Sequence, residues 1–226
     1  MKDDGRKNSV ENPLCRTAAI LAGGKGLRMG QDKQTLSRKG QVLVHSLIGQ
    51  LQAYFDEIIV VTRSAGLYQG QDVLLTRDKL PSRGPMSGIH AALSVAASPY
   101  IYLTACDMPL FEPELLKLLL EELNSCQPCS GVAVEREFQS RDGSMRLRPE
   151  IFHAIYAKSL LAGLREQVLS QRSKVEHFMR ETDFHFLKEK EVRQILPDWS
   201  VFTNINTPEE ALAAGLDPLT ARDYFS

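Results

Sequence analysis

No apolar run in this 226-residue chain approaches the ~20 residues needed to cross a bilayer, so no membrane span is expected. Charge of one sign is also missing. The net charge is −1, which excludes a broad basic face for nucleic acid and leaves any phosphate work to local cations. Residues Met1–Cys15 are polar and lack the apolar core segment of a secretory signal. They read as a disordered N-terminal extension, with the folded domain expected over residues 16–226 and a cytoplasmic location. Cysteine is sparse, at four residues: Cys15, Cys106, Cys126 and Cys129. In a reducing compartment disulfides are not expected. Cys126-Gln127-Pro128-Cys129 follows an apolar helix instead of opening one, and no second Cys or His pair has zinc spacing, so it reads as a loop. The five histidines are scattered and read as structural or surface residues. No internal repeat and no low-complexity linker divides the chain, which is long enough to bury a sizeable core.

What the chain does have is one dense cationic loop. Thr17–Ala22 has the length and composition of a buried strand. It runs into Gly23-Gly24-Lys25-Gly26-Leu27-Arg28-Met29-Gly30-Gln31-Asp32-Lys33. Glycines let backbone turn and approach a ligand, and successive N–H groups can point at one anion. Arg28 can grip phosphate oxygens in a fork, and Lys33 adds a point charge. A solvated turn is the plainer reading of such a cluster. Two known phosphate loops are near misses. A P-loop would need Lys-Ser/Thr after its last glycine, and here Gly30 is followed by Gln31. The dinucleotide fingerprint of a nicotinamide-dependent dehydrogenase would need its third glycine one residue before Gly30.

Further along, strands and helices alternate. Helical spacing predicts Val42–Phe55, Met86–Ala97 and a helix opened by Pro113, while Ile58–Val61, Val73–Leu75 and Tyr100–Ala105 read as strands. This predicts a parallel sheet with helices on both faces. Gly131–Val134, Met145–Leu147 and Ile151–Tyr156 then follow with only turns between them, which argues antiparallel additions and a mixed sheet. Helices return at Ser159–Leu169 and Val175–Glu181, the second behind a capping box that starts at Ser173. Trp199–Asn204 reads as a last strand, with a helix starting at Thr207-Pro208. The expected fold is a single-domain three-layer α/β/α sandwich.

In an open α/β sheet, ligands bind beyond the carboxyl ends of the strands. The glycine loop, Asp78, Asp107 and Asn204/Asn206 all fall at such ends. An acid directly after a buried strand can hold Mg²⁺, which takes one or two carboxylates plus substrate phosphates. Capping of the helix at Pro113 is the alternative role for Asp107. Asp78 alone would pass as an ordinary loop acid, and Asn206 as a turn former.

These pieces together resemble a family. Leu21-Ala22-Gly23-Gly24, Arg28-Met29-Gly30 and Lys33, then Cys106-Asp107-Met108-Pro109, then Asn204-Ile205-Asn206-Thr207-Pro208-Glu209-Glu210 look like the motifs of molybdenum cofactor guanylyltransferases, in the right order. Gly84-Pro85-Met86-Ser87-Gly88 is similar to the family's Gly-Pro-Leu-x-Gly loop. The resemblance implies a nucleotide-diphospho-sugar transferase-like fold and transfer of GMP from GTP to the phosphate of molybdopterin, with Mg²⁺ as cofactor. It implies catalytic roles for Arg28, Lys33 and Asp107, with Asp107 on the metal. It implies nucleotide contacts from Leu21, Ala22, Gly23, Gly24, Lys33, Asp78, Gly84 and Asp107, a role for Asn206 at the metal water or phosphate, and transient contact with other cofactor-biosynthesis proteins or molybdoenzymes. A second glycine at residue 24 makes room for a purine. Two places depart from the pattern: the second strand, Ile58-Ile59-Val60-Val61-Thr62-Arg63, where such enzymes often show an Asn, and Arg148, where His before Pro is common. The open alternatives are a relative using CTP or a sugar-phosphate acceptor, and a molybdopterin carrier without catalysis.

Overall fold

Strand β1 (Thr17–Leu21) is buried along its whole length. Ala18 and Ile20 face one apolar core, and Ala19 and Leu21 face another. A strand covered on both faces has no reason to alternate apolar with polar, which is why it reads as a continuous apolar run. The structure is a computed structural model, and it describes residues 12–22, 33–38, 41–80, 84–140, 142–172, 174–205, 210 and 217–218.

After β1 come the short strands β2 (Leu36–Arg38) and β3 (Gln41–Val42), helix α1 (Leu43–Gln52) and strand β4 (Glu57–Val61). Strand β5 (Leu74–Thr76), helix α2 (Pro85–Val95), strand β6 (Tyr100–Ala105) and helix α3 (Pro113–Cys126) follow. The second half adds β7 (Gly131–Gln139), β8 (Met145–Pro149), β9 (Ala154–Ala157), α4 (Leu161–Leu169) and α5 (Val175–Glu181). The last elements are β10 (Phe184–Lys188), α6 (Glu189–Val192) and β11 (Asp217–Pro218).

The main sheet has eight strands in the order β10-β7-β9-β6-β1-β4-β5, with β8 paired to β7. Strands β6, β1, β4 and β5 are parallel, and β9 is antiparallel to both β6 and β7. The expected mixed, mostly parallel sheet is therefore present. One face is covered by α1 and α3, where Leu47, Leu51, Leu115 and Leu119 meet Ile20, Val60 and Tyr102. The other is covered by α2, α4 and α5, where Ile89, Leu164 and Phe178 meet Ala19, Ile59 and Tyr156. A small second sheet, β11-β2-β3, was not foreseen.

Several expectations need correction. Trp199–Asn204 does not join a sheet. It forms a 3₁₀ turn, Ser200–Phe202, because Trp199 packs on Phe202 at 4.8 Å, Arg193 lies over the indole at 4.5 Å, and Asp198 accepts from the Ser200 amide. Strand β7 is longer than expected, since its outer half pairs with β8 as a hairpin. Strand β10, for which the sequence reading named no element, pairs in parallel with β7. The packed chain also begins ahead of residue 16. Cys15 is buried, and the buried Asn12 donates its side-chain amide to Asn124. Ser173, the expected cap of α5, lies outside the described residues, as does the helix start at Thr207. Helix α3 ends at Cys126, and the Cys126 and Cys129 sulfurs stand 2.7 Å apart.

Candidate active site

The parallel register sets the carboxyl ends of four strands side by side. Leu21 pairs with both Val61 and Ala105, and Val61 with Thr76. The ladder continues one residue further: Ala22 donates to Val61, Cys106 to Leu21 and Thr62 to Thr76. Everything after these positions leaves the sheet along one edge, where ligands of such folds bind. Leu21 and Ala22 are buried there. Asp107 follows two residues after β6, half-buried, in a turn closed by the Met108 amide on the Ala105 carbonyl at 3.1 Å. The Asp107 carbonyl accepts from the Ile205 amide at 2.9 Å. That single bond brings the closing Asn204-Ile205 segment to the end of β6, although about a hundred residues separate them.

Asp78 lies two residues beyond β5 and is half-buried. Burial pushes its carboxyl above the usual value, and the Arg63 guanidinium pulls part of the way back. A carboxyl raised by desolvation beside one cation, at an edge built for ligands, marks a site candidate. Gly84 caps α2 with φ of 146°, a region only glycine visits readily. Its conformation lets Pro85 start the helix beside β1. The first turn of α2 sits close, since a Cβ at Gly88 would meet the Leu21 side chain at 3.0 Å.

The structure thus brings Leu21, Ala22, Asp78, Gly84 and Asp107 to one edge, and Lys33 opens a 3₁₀ turn, Lys33–Thr35. Gly23, Gly24, Arg28 and Asn206 lie outside the described residues. Among the described residues no three or more His, Cys, Asp or Glu gather into a group that could hold a metal. The donor set still suits Mg²⁺, because a single hard carboxylate at an open edge is what that ion uses when substrate phosphates complete its shell.

Sequence reasoning missed one wall. Ile155 pairs with both Tyr102 and Val132, so Glu135 of β7 stands level with Ala105, the last residue of β6. The outer half of β7 and β8 therefore projects about 13 Å beyond the edge, at ~3.3 Å per residue. This hairpin carries Arg146, paired with Asp142, and Arg148, paired with Glu176, beside exposed Phe138, Met145 and Leu147. Its signal in the sequence was the turn Asp142-Gly143 between two short strand candidates.

The family model of the MobA-like NTP transferase domain matches residues 18–194. The chain is 34% identical over 194 residues to the molybdenum cofactor guanylyltransferase of Syntrophotalea carbinolica, covering 86% of this chain and 88% of the relative. It belongs to the molybdenum cofactor guanylyltransferase family. A probable molybdenum cofactor guanylyltransferase of Peptoclostridium acidaminophilum is also 34% identical over 200 residues, covering 87% of both chains. Among solved structures, molybdopterin-guanine dinucleotide biosynthesis protein A from Archaeoglobus fulgidus superposes with a TM-score of 0.73 at 24% identity, over 88% of this chain and 96% of that one. The 2-C-methyl-D-erythritol 4-phosphate cytidylyltransferase of Thermus thermophilus shares the fold at a TM-score of 0.62 and 9% identity, over 88% and 96% of the two chains. These two structures share the fold, and the guanylyltransferase family membership of this chain rests on its sequence.

Proposed function

We propose that this nucleotidyltransferase moves GMP from GTP onto the terminal phosphate of molybdopterin, forming molybdopterin guanine dinucleotide and pyrophosphate. The observation that carries the proposal is the convergence of Asp107, Asp78 and the Gly84 cap on one edge, in a chain of this family. An oxygen of the acceptor phosphate attacks the α-phosphorus of GTP, and the bond to the β-phosphate breaks. The acceptor is already an anion, so no strong base is needed. Positioning and charge stabilisation carry the reaction.

Arg28 and Lys33 take the triphosphate and the departing charge. Leu21, Ala22, Gly23 and Gly24 let backbone approach the nucleotide, and Asp78 and Gly84 flank its base and ribose. Asp107 fits Mg²⁺ together with the substrate phosphates, and Asn206 orients a water or phosphate beside it. The ion would supply charge neutralisation at the phosphates. The projecting hairpin offers the acceptor an apolar and arginine-bearing wall, suited to a pterin with a phosphate. The folded chain acts as one catalytic domain in the cytoplasm, in transient contact with proteins that deliver or receive the cofactor.

Pyrophosphate release with each nucleoside triphosphate, with and without molybdopterin, tests the reading. Release with GTP only when molybdopterin is added supports it. Preference for CTP would remove the guanylyl assignment, and binding of molybdopterin without any release would make the chain a carrier.

A further inference from the structure

A buried glutamine stands directly after Lys33. Gln34 is 4% exposed, and its side-chain carbonyl accepts from two hydroxyls: Thr62 at 2.7 Å and Tyr68 at 2.8 Å. Both donors are buried as well. An amide oxygen has two lone pairs, and each meets a donor here.

The donors are themselves held. Thr62 is the first residue after β4, its amide donates to Thr76, and its hydroxyl oxygen accepts from the Ser64 amide at 3.0 Å. Tyr68 ends a 3₁₀ turn, Ala65–Tyr68, and its ring stands edge-on to His45 of α1 at 6.1 Å. His45 Nε2 lies 2.7 Å from the Leu67 carbonyl oxygen. The acceptor is thus bolted to the carboxyl end of β4 and, through it, to α1.

We infer that Gln34 is a positioning residue: its two-hydroxyl clamp fixes the backbone of the turn that carries Lys33, the residue proposed to take the triphosphate. The inference rests on the proposed role of Lys33. Three facts favour it over plain packing. A residue that only filled space at a buried position would be apolar, since leaving either hydroxyl unpaired is costly. Lys33, Gln34 and Thr35 form one short 3₁₀ turn, so locking residue 34 holds the backbone of residue 33 beside it. The anchor is β4, whose carboxyl end is part of the site edge, so the clamp references Lys33 to the same frame as Asp78 and Asp107. A lysine amine on a long flexible stem profits most from such fixing, because its ordering entropy is high.

The test is a double-variant cycle read in GTP affinity and in kcat/KM, with thermal stability followed alongside. Gln34→Leu keeps the bulk and removes the acceptor. It is expected to lower kcat/KM for GTP at least ~10-fold, with the molybdopterin KM unchanged, and to cost less than ~2-fold when Lys33 is already alanine. Thr62→Val and Tyr68→Phe each remove one donor and should give intermediate losses, which keeps the inference open to refutation if Gln34→Leu fails to fold. An equal loss from Gln34→Leu in both backgrounds, or lowered stability with unchanged activity per folded molecule, would overturn the positioning role while the Lys33 reading stands. Unchanged GTP affinity and kcat/KM in Lys33→Ala would overturn the Lys33 reading, and the inference with it.

Discussion

Acid should destabilise this protein through one buried histidine. His153 is fully buried between β6 and the 3₁₀ turn Ser200–Phe202, with φ of 52°. Its Nδ1 lies 2.6 Å from the Tyr102 hydroxyl, and Phe202 stands edge-on to the ring at 5.8 Å. Burial pushes its pKa down to about 3, with the Val201 backbone carbonyl pulling the other way. The neutral ring suits these partners: Nδ1 accepts from the Tyr102 hydroxyl, and Nε2 lies 3.4 Å from the Thr104 hydroxyl.

A depressed histidine pKa means that the unfolded chain binds the proton and the folded one does not. Its contribution is complete above the unfolded value near 6.5 and is lost as the pH falls toward 3. At ~1.4 kcal/mol per unit, about 2 kcal/mol is gone by pH 5. That is a large fraction of a typical stability of about 5–15 kcal/mol. His90 shifts in the same direction through burial and the nearby Arg165 and Lys79, so a single curve cannot isolate His153. The comparison that does so is wild type against His153→Asn, since a short amide tolerates positive φ and does not titrate here. Urea unfolding from pH 7.5 to pH 5, followed by the fluorescence of Trp199, the one tryptophan and a neighbour of Phe202, reads both proteins. The variant starts less stable but should lose about 2 kcal/mol less over the range. Parallel losses in the two proteins would refute the reasoning.

Three further outcomes follow from the geometry. Asp107→Asn keeps the size and removes the charge, so GTP turnover should fall at least ~100-fold with an unchanged melting temperature; near-normal Mg²⁺-dependent turnover would take Asp107 out of the site. Gly84→Ala adds a Cβ that meets nothing within 4 Å, so its cost is backbone strain alone, ~1–3 kcal/mol in chemical denaturation, with weaker GTP binding as the α2 cap shifts. Gly131→Ala should be far worse, because the new Cβ would overlap the Ile155 carbonyl oxygen and approach the Phe184 ring to 2.6 Å; a loss above ~3 kcal/mol, or no soluble protein, is expected, and a stable variant would contradict the β7–β9 register.

Much of the central sheet was legible because its residues carry their own burial pattern. The Thr17–Leu21 run and the strand Tyr100–Ala105 are local signals that packing did not override. Asp78, Gly84 and Asp107 could be placed on one edge because parallel strands have only one carboxyl end. Trp199–Asn204 misled because an apolar run does not say which surface will bury it. Here a 3₁₀ turn against His153 and Arg193 does so. Phe184–Lys188 was missed for the converse reason: it is a strand because β7 offers it an edge.

The order of strands and helices, the ligand edge and the family were determined by the sequence, through periodicity, turn residues and motifs that act over a few residues. The Gln34–Thr62–Tyr68 clamp, the His153–Tyr102 pair, the bond from Ile205 to Asp107 and the reach of the hairpin beyond β6 were decided by the tertiary structure. A buried polar atom must find a partner somewhere in the fold, and these partners stand tens of residues away or more, where no local pattern can name them.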